Sequence, residues 1–331
     1  MTGHSTSPIR LHVVTGKGGT GKTTVAAAMA LSLAARGQRV LLAEVEGRQG
    51  IAQVLDVPPL GTDERTVVTD PSGGEVVGLS VDAKTALLEY LQKFYKLGRA
   101  GSVLEKVGAV DFATTIAPGV RDVLLIGRVY EAVGRVTKGA KKRPAFDAVV
   151  LDAPPTGRIG RFLAVNSEVS EVAKVGPVRN QADSITRLLQ SPATAVHIVT
   201  LLEEMPVQET IDAIDELGEL SLRVGSVIAN GVREPLVSDE DAAAIAGLDA
   251  RVQTELEAAL KSLDITTGPA LLTGLLQEGA DHVQRTRLQA EQREILEQLP
   301  VPVQVLPHLN DGVESGELRR LAEVLDEQGA V

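Results

Sequence analysis

Short apolar runs recur along the chain, with helical patterns between them. The runs are rich in Val, Ile and Leu and carry few polar positions, which is typical of strands buried on both faces of a parallel sheet. They predict six strands, at residues 11–15, 39–45, 146–152, 195–201, 224–230 and 303–307. Because helical patterns separate most of them, we expect an α/β fold with a doubly wound, mainly parallel sheet.

Two intervals are too long for simple crossover helices. Residues 82–136 and 156–190 have helical patterns, and we expect them to form a helical insert beyond the carboxyl ends of the strands, where ligands bind in such folds. The stretch at 69–75, rich in Pro, Gly and Asp, predicts a plain loop. The chain has no internal repeat, and its length of 331 residues fits a single domain at 1–331 that includes both insert regions.

The composition excludes several kinds of protein. The chain has no cysteine, which rules out disulfides, thiolate metal sites and iron–sulfur ligation and favours a reducing, cytoplasmic location. Its amino end lacks the apolar core of a signal peptide. No run approaches the roughly 18 apolar residues that a membrane span requires. We therefore expect a soluble protein.

Charge is distributed unevenly within the net charge of −11. Residues 1–202 carry 24 Lys and Arg against 18 Asp and Glu, whereas residues 203–331 carry 9 against 26. This imbalance argues against general nucleic-acid binding. It is compatible with a basic face that meets an acidic partner or lipid surface, but ordinary solvated helix faces are the interpretation that we favour.

A glycine-rich loop follows the first predicted strand and precedes a helical stretch. Residues 16–23 match G-x-x-x-x-G-K-[ST], the loop whose backbone N–H groups surround a phosphate. Three glycines leave those groups free to turn inward: Gly18, Gly19 and Gly21. Lys22 is expected to reach the β- and γ-phosphates and Thr23 to ligate Mg²⁺, while the helix that follows directs its positive end at the anion. The loop therefore predicts a nucleotide-phosphate site.

A second nucleotide motif lies at residues 146–163. An apolar strand there ends in Asp152, which is a Walker B arrangement that places a carboxylate to organise Mg²⁺ or its water shell. Thr23 and Asp152 are therefore the predicted metal-binding residues.

The loop also contains a second lysine, Lys17, for which the sequence suggests no role within the chain. The form G-K-G-G-T-G-K-T-T, and the continuation D-A-P-P-T-G-R-I-G-R-F-L after the Walker B strand, resemble the deviant Walker A loop and switch II of one family. That family comprises the arsenical pump-driving ATPases and the related ATPases that guide tail-anchored proteins to membranes, the ArsA-like ATPases. Weaker resemblances at 117–125, 227–231 and 306–316 follow in the family's order over nearly the whole chain.

This resemblance implies a dimer that uses ATP and Mg²⁺ and in which Lys17 reaches the nucleotide of the partner. Asn230 occupies the place of the family's adenine-recognising asparagine, and Pro307 and His308 fall near its adenine-contacting loop. An ordinary Asn-Gly turn is the alternative interpretation of Asn230. The phosphate- and Mg²⁺-binding residues implied by the resemblance are Gly18, Gly19, Thr20, Gly21, Lys22, Thr23 and Thr24.

The chain departs from the family at switch I, where D-P-A-H-N becomes E-G-R-Q-G at residues 46–50. Glu46 stands in the place of the water-orienting aspartate, with its carboxylate one methylene further out, and Gln49 and Gly50 replace the histidine and asparagine. Because in-line attack is sensitive to errors of about 1 Å, we expect slow hydrolysis. Arsenite transport is not expected, since no thiolate is present to hold the metalloid.

The leading hypothesis is an ATPase with four catalytic residues, Lys17, Lys22, Glu46 and Asp152, whose nucleotide state opens and closes the helical region over a client. The dimer partner would be a second copy or a related ATPase subunit, the client a membrane protein, and no specific nucleic acid is expected. Two alternatives stay open. The altered switch I suggests a regulatory subunit of a hetero-oligomer that binds ATP with little hydrolysis of its own. A partitioning-type ATPase that patterns a surface is the other.

Overall fold

A central sheet of eight strands organises the protein. The structure is a computed structural model, and it describes residues 9–45, 47, 49–95, 118–137, 142–164, 177–246, 250–266, 268–309 and 315–330. The strands are β1 (Leu11–Gly16), β2 (Arg39–Val45), β3 (Arg65–Thr69), β4 (Glu75–Val81), β5 (Ala148–Asp152), β6 (Thr194–Thr200), β7 (Val224–Val232) and β8 (Val303–Pro307). Their order in the sheet is β3-β4-β2-β5-β1-β6-β7-β8. All neighbours are parallel except β3 and β4, so the predicted α/β fold is confirmed.

The six predicted strands are present with boundaries that shift by at most two residues. Strands β3 and β4 were not predicted. The predicted loop at 69–75 is confirmed at residues 70–74, which connect these two strands as a β-hairpin. Edge strand β3 is largely exposed and therefore carries no apolar run. Gly78 interrupts the run of β4, and a Cβ atom there would lie 2.8 Å from Leu60, so the close packing that requires glycine also obscured the strand.

Helices cover both faces of the sheet. In the described residues they are α1 (Lys22–Ala35), α2 (Gly50–Val54), α3 (Ala83–Tyr95), α4 (Pro118–Gly134), α5 (Thr156–Leu163), α6 (Pro177–Leu189), α7 (Glu204–Glu219), α8 (Asp239–Ala246), α9 (Ala250–Ser262), α10 (Pro269–Glu297) and α11 (Ser315–Glu327). One apolar core lies between the sheet and α4 to α7, another lies between the sheet and α1, α2 and α11, and a third, smaller one lies where β7, α7 and α10 meet. Helix α1 is buried almost throughout from Val25 to Ala34, which explains its nearly uniform apolar sequence.

The two predicted insert regions are mainly helical in the residues that the structure describes. Helix α3 follows the carboxyl end of β4, and α4 packs against α3, α6 and the sheet. The end of α4 reaches the amino end of β1, where Arg10 donates to the carbonyl oxygen of Val133 over 2.9 Å. Residues 96–117 and 165–176 lie outside the described residues, so an insert beyond the carboxyl ends of the strands stays a prediction in that part.

Helices α9 and α10 are the most exposed, and α9 has no buried residue. Although α10 spans 29 residues, charged side chains are spread along its length. Among the described helices, none combines the length and the apolar character that crossing a bilayer requires.

Candidate nucleotide site

The glycine-rich loop between β1 and α1 closes around one carbonyl oxygen, that of Lys17. The Thr20 hydroxyl and the Lys22 ammonium donate to this oxygen over 3.0 and 2.9 Å. Gly21 precedes α1 with a φ of +88°, and a Cβ atom there would lie 2.3 Å from the side-chain nitrogen of Asn230. Both the backbone conformation and the close approach of β7 therefore require glycine at this position. The loop has a defined shape fixed by its own hydrogen bonds.

The outer edge of this loop is free of close contacts at two of its glycines. A Cβ atom built on Gly18 or on Gly19 would meet nothing within 4 Å in the described structure. Thr24 lies in the first turn of α1 and is half-buried. Because the first N–H groups of a helix lack partners within it, an anion at residues 18–24 would face N–H donors and the positive end of the α1 dipole.

Thr23 and Asp152 come together beneath the loop, as the sequence predicted. The Thr23 hydroxyl donates to Oδ2 of Asp152 over 2.7 Å. The contact forms because β5 lies beside β1, with Asp152 in register with Val14, so that its carboxyl end points toward the start of α1. A hydroxyl and a carboxylate are hard oxygen donors of the kind that Mg²⁺ prefers, and the pair fits a magnesium site. Thr15 also holds switch II, since its hydroxyl donates to the carbonyl oxygen of Pro154 over 2.7 Å.

Lys17 has a partner within its own chain, which the sequence did not suggest. Its ammonium lies 2.7 Å from Oε1 of Glu209 on α7, with side chains 32% and 36% exposed. The other oxygen of Glu209 accepts a long hydrogen bond, 3.4 Å, from the Thr156 hydroxyl at the start of α5. One carboxylate therefore connects the phosphate loop with the helix that begins in switch II.

Asn230, Pro307 and His308 converge at the carboxyl ends of β7 and β8. The Asn230 amide donates to the carbonyl oxygen of Thr20 over 2.9 Å. The backbone N–H of His308 donates to the carbonyl oxygen of Val232, also over 2.9 Å. Asn230 lies inside β7, so the alternative of an ordinary Asn-Gly turn was wrong. In this state the Asn230 side chain braces the phosphate loop, and adenine recognition by it stays a prediction.

His308 stands in a basic environment at this end of the sheet. Its pKa lies below the usual value of 6.5 because of burial and, after that, because of the positive charges of Arg233 and Arg285. A neutral imidazole with an apolar ring face suits contact with a flat heteroaromatic base. The geometry therefore agrees with a base-binding position near Pro307 and His308.

Switch I is described only in part. Glu46, the predicted water-orienting residue, lies outside the described residues, and so does Arg48. Gln49 precedes α2 as its N-cap residue. Both groups of its side-chain amide bind the backbone of Leu60: its Nε2 donates over 3.0 Å and its Oε1 accepts over 2.7 Å. In this state the residue that replaces the family's histidine is engaged in a structural clamp.

Two acidic residues of the site were missed from the sequence, Glu44 and Glu209. Glu44 is 2% exposed and accepts hydrogen bonds from the backbone at the start of α2. The available signal was its position as a charged residue within the apolar run at 39–45. Glu209 gave no such signal, because it is one of many carboxylates on amphipathic helices in the acidic second part of the chain.

A buried pair of histidines lies in the sheet next to the site strands. His12 Nδ1 and His197 Nε2 are 3.1 Å apart, their rings are stacked, and His197 Nδ1 lies 2.8 Å from the Ser226 hydroxyl. Burial lowers the pKa of His12 to about 4. It lowers the pKa of His197 well below 6.5, with further contributions from His12 and Arg223. Both rings are therefore neutral at physiological pH.

Comparison with known proteins agrees with this geometry. A family model described as anion-transporting ATPase matches residues 9–191. The chain is 50% identical over 323 residues to the ATPase BagA of Mycobacterium tuberculosis, covering 98% of this chain and 94% of that protein. It is 28% identical over 297 residues to the arsenical pump-driving ATPase of Escherichia coli, covering 81% and 49% of the two chains. It is 27% identical over 249 residues to the arsenical pump-driving ATPase of Acidiphilium multivorum, covering 70% of this chain and 41% of that protein. The chain therefore spans about half the length of these two pump-driving ATPases or less.

Proposed function

We propose that this chain, which belongs to the anion-transporting ATPase family, is a Mg-ATP-dependent ATPase that works as a dimer and couples its nucleotide state to a helical client-binding region. The observation that carries the proposal is the contact between Thr23 and Asp152 beneath the phosphate loop, 2.7 Å long. The hydroxyl and the carboxylate are oxygen donors that would hold Mg²⁺ beside the phosphates, and this supports the proposal.

The residues divide the chemistry between them. Lys22 and the N–H groups of residues 18–24 bind the phosphates, and Thr23 and Asp152 hold Mg²⁺, directly or through its waters. When bound, Mg²⁺ would neutralise charge on the β- and γ-phosphate oxygens. Glu46 orients the attacking water, and Asn230, Pro307 and His308 face the base. The chain has no cysteine, so metalloid binding through thiolates of this chain is not part of the proposal.

The dimer is proposed from Lys17. Lys22 already serves the nucleotide of its own loop, and Lys17 stands on the rim, where its 32% exposed side chain can leave Glu209. We propose that ATP binding draws two subunits together and that Lys17 then contacts the nucleotide of the partner, as an arginine finger supplied in trans does. The partner is a second copy or a related subunit.

Phosphate release tests the proposal. Purified protein should hydrolyse ATP only with Mg²⁺, and Asp152→Asn should lower turnover at least tenfold while ATP binding persists. Lys22→Ala should abolish tight ATP binding itself, because the phosphates lose their main side-chain counter-ion. Asp147→Asn is the matched control for Asp152→Asn. Asp147 immediately precedes β5, at the end of the strand away from the site, and its carboxylate accepts a hydrogen bond from the backbone N–H of Arg39. Unchanged nucleotide affinity of Lys22→Ala in calorimetry would refute the assignment of the site.

A second candidate function has an observation of its own. Gln49 is clamped to the backbone of Leu60, so switch I lacks a polar side chain at that position to help position water in this state. This favours an ATP-binding regulatory subunit with little hydrolysis of its own. Glu46→Gln distinguishes the two: it lowers turnover with binding intact if this chain hydrolyses ATP, and it changes nothing if turnover is confined to a partner subunit.

A further inference from the structure

We propose that Glu44 is the positioning residue of switch I: its buried carboxylate holds the turn at residues 49–51 against Thr23 and so sets the geometry of the metal end of the site. The inference rests on the proposed function. According to this inference, the position of switch I is set by a residue on β2 that precedes the switch sequence at 46–50.

The carboxylate of Glu44 is fully engaged. Its Oε1 accepts from the backbone N–H of Gln49 over 2.9 Å and from the Ser80 hydroxyl over 3.1 Å. Its Oε2 accepts from the backbone N–H of Ile51 over 3.2 Å. Glu44 is only 2% exposed, and with donors on both oxygens it is not placed to act as a base toward water. Its bonds connect three elements: β2, β4 and the start of α2.

These bonds replace the cap that α2 lacks. Gln49 is the N-cap residue of α2 and has a φ of 58° with no side-chain cap hydrogen bond, because its side chain is bound to Leu60. The first N–H groups of a helix need an acceptor. Glu44 provides this acceptor: one of its oxygens accepts from the backbone N–H of Gln49, and the other accepts from the backbone N–H of Ile51. The start of α2 is therefore fixed from the sheet.

The same turn touches the metal end of the site. A Cβ atom built on Gly50 would lie 3.1 Å from Cγ2 and 3.4 Å from Oγ1 of Thr23. The Thr23 hydroxyl is bonded to Asp152, and Asp152 is the register partner of Glu44 on the adjacent strand. A displacement of Gly50 would therefore be felt by the hydroxyl proposed to bind Mg²⁺. Since close-packed contacts transmit small shifts, Glu44 acts on the site through the turn.

Glu44→Gln tests this with almost no change in volume. The amide must turn its NH₂ group toward one of the three donors, so one side of the clamp is lost and a donor is left unsatisfied. We expect the Mg²⁺ concentration for half-maximal hydrolysis to rise at least fivefold and turnover to fall at least tenfold. ATP affinity without Mg²⁺ should stay within about threefold, because the phosphate loop is untouched.

Ser80→Ala is the matched control, since it removes one of the three hydrogen bonds without touching the turn. It should cost thermal stability comparable to that of Glu44→Gln while leaving the Mg²⁺ requirement within twofold of the parent. A direct readout is available because the chain has no tryptophan. A tryptophan introduced by Gln53→Trp, on the exposed side of α2, reports the environment of that helix. In this background Glu44→Gln should shift the indole emission and make its anisotropy decay faster, because the helix is held less firmly. Ser80→Ala should change neither quantity.

The outcomes are distinguishable. Equal losses of turnover in Glu44→Gln and Ser80→Ala, or an unchanged Mg²⁺ requirement in Glu44→Gln, would overturn the positioning role. Should Glu44→Gln fail to fold, Glu44→Asp keeps the charge but withdraws the carboxylate by one methylene, and it should show the same Mg²⁺ effect. If the parent protein itself hydrolyses no ATP, the proposed activity fails. The emission and the anisotropy decay of the introduced tryptophan, compared between Glu44→Gln and Ser80→Ala, still test the role of Glu44.

Discussion

Replacing Glu209 by glutamine is expected to make ATP-driven dimerisation easier while leaving ATP binding by the monomer unchanged. In the structure the Glu209 carboxylate holds Lys17 at 2.7 Å. If Lys17 acts on the nucleotide of a partner subunit, this ion pair must break before the dimer closes. Glutamine keeps the size of the side chain and removes the charge that retains the lysine.

The size of the effect follows from the exposure of the pair. Both side chains are about one-third exposed, at 32% and 36%, so water screens their attraction and the pair contributes about 0.5–1 kcal/mol. The 3.4 Å contact between Glu209 and Thr156 is too long to add much. Since 1.4 kcal/mol is a factor of ten, the ATP concentration for half-maximal dimerisation should fall about two- to fivefold.

Analytical ultracentrifugation over a series of ATP concentrations measures the dimer, and calorimetry at low protein concentration measures binding by the monomer. Asp212→Asn is the control, because it removes a charge from the same helix, where Asp212 accepts only a local hydrogen bond from Gln208 among the described contacts. A Glu209→Gln variant that binds ATP more tightly as a monomer, with dimerisation unchanged, would show that Lys17 serves its own nucleotide. A variant that needs more ATP to dimerise would show that Glu209 supports the active position of Lys17.

Three further predictions concern the loop, the base and the buried histidines. Lys17→Ala should leave ATP binding by the monomer within about twofold while dimer closure and hydrolysis fail, and in mixtures with a partner subunit the lesion should appear at the partner's nucleotide. Asn230→Ala should weaken binding about fivefold through the loss of its hydrogen bond to the loop; an equal loss for ATP and GTP supports bracing, whereas a loss confined to ATP supports adenine recognition. Because the pKa of His12 is about 4 in the folded chain and has its ordinary value of 6.5 in the unfolded chain, the unfolded chain gains this proton first as pH falls. The free energy of unfolding should therefore drop by about 3 kcal/mol between pH 6.5 and 4, as urea denaturation of the parent and of His12→Gln would show.

The sequence predicted the parts of the site that are contiguous in the chain. The phosphate loop at residues 16–23 and the strand that ends in Asp152 are short motifs whose conformation depends on glycines and on an apolar run. Their approach to one another followed from the rule that the carboxyl ends of parallel strands share one edge of a sheet. The contact between Thr23 and Asp152 was therefore predictable, although these residues are 129 positions apart.

Other contacts depend on side chains that look ordinary in the sequence. Glu209 is one carboxylate among many on amphipathic helices, and only the packing of α7 beside the loop places it on Lys17, 192 positions away. The sequence predicted a role for Asn230 at the base, and it gave no sign that the amide of this residue also donates to the carbonyl oxygen of Thr20. Strands β3 and β4 were missed because an exposed edge and an internal glycine leave no apolar run.

The sequence by itself determined the class of fold and the chemistry of the phosphate site, because both arise from local backbone preferences and from the burial of apolar runs. The tertiary structure decided which charged groups are held and by what. The position of Glu44 within an apolar run signals that the residue is buried, but it does not show which three donors surround its carboxylate. Its environment depends on how β2, β4 and α2 pack, and that packing is a property of the folded chain as a whole.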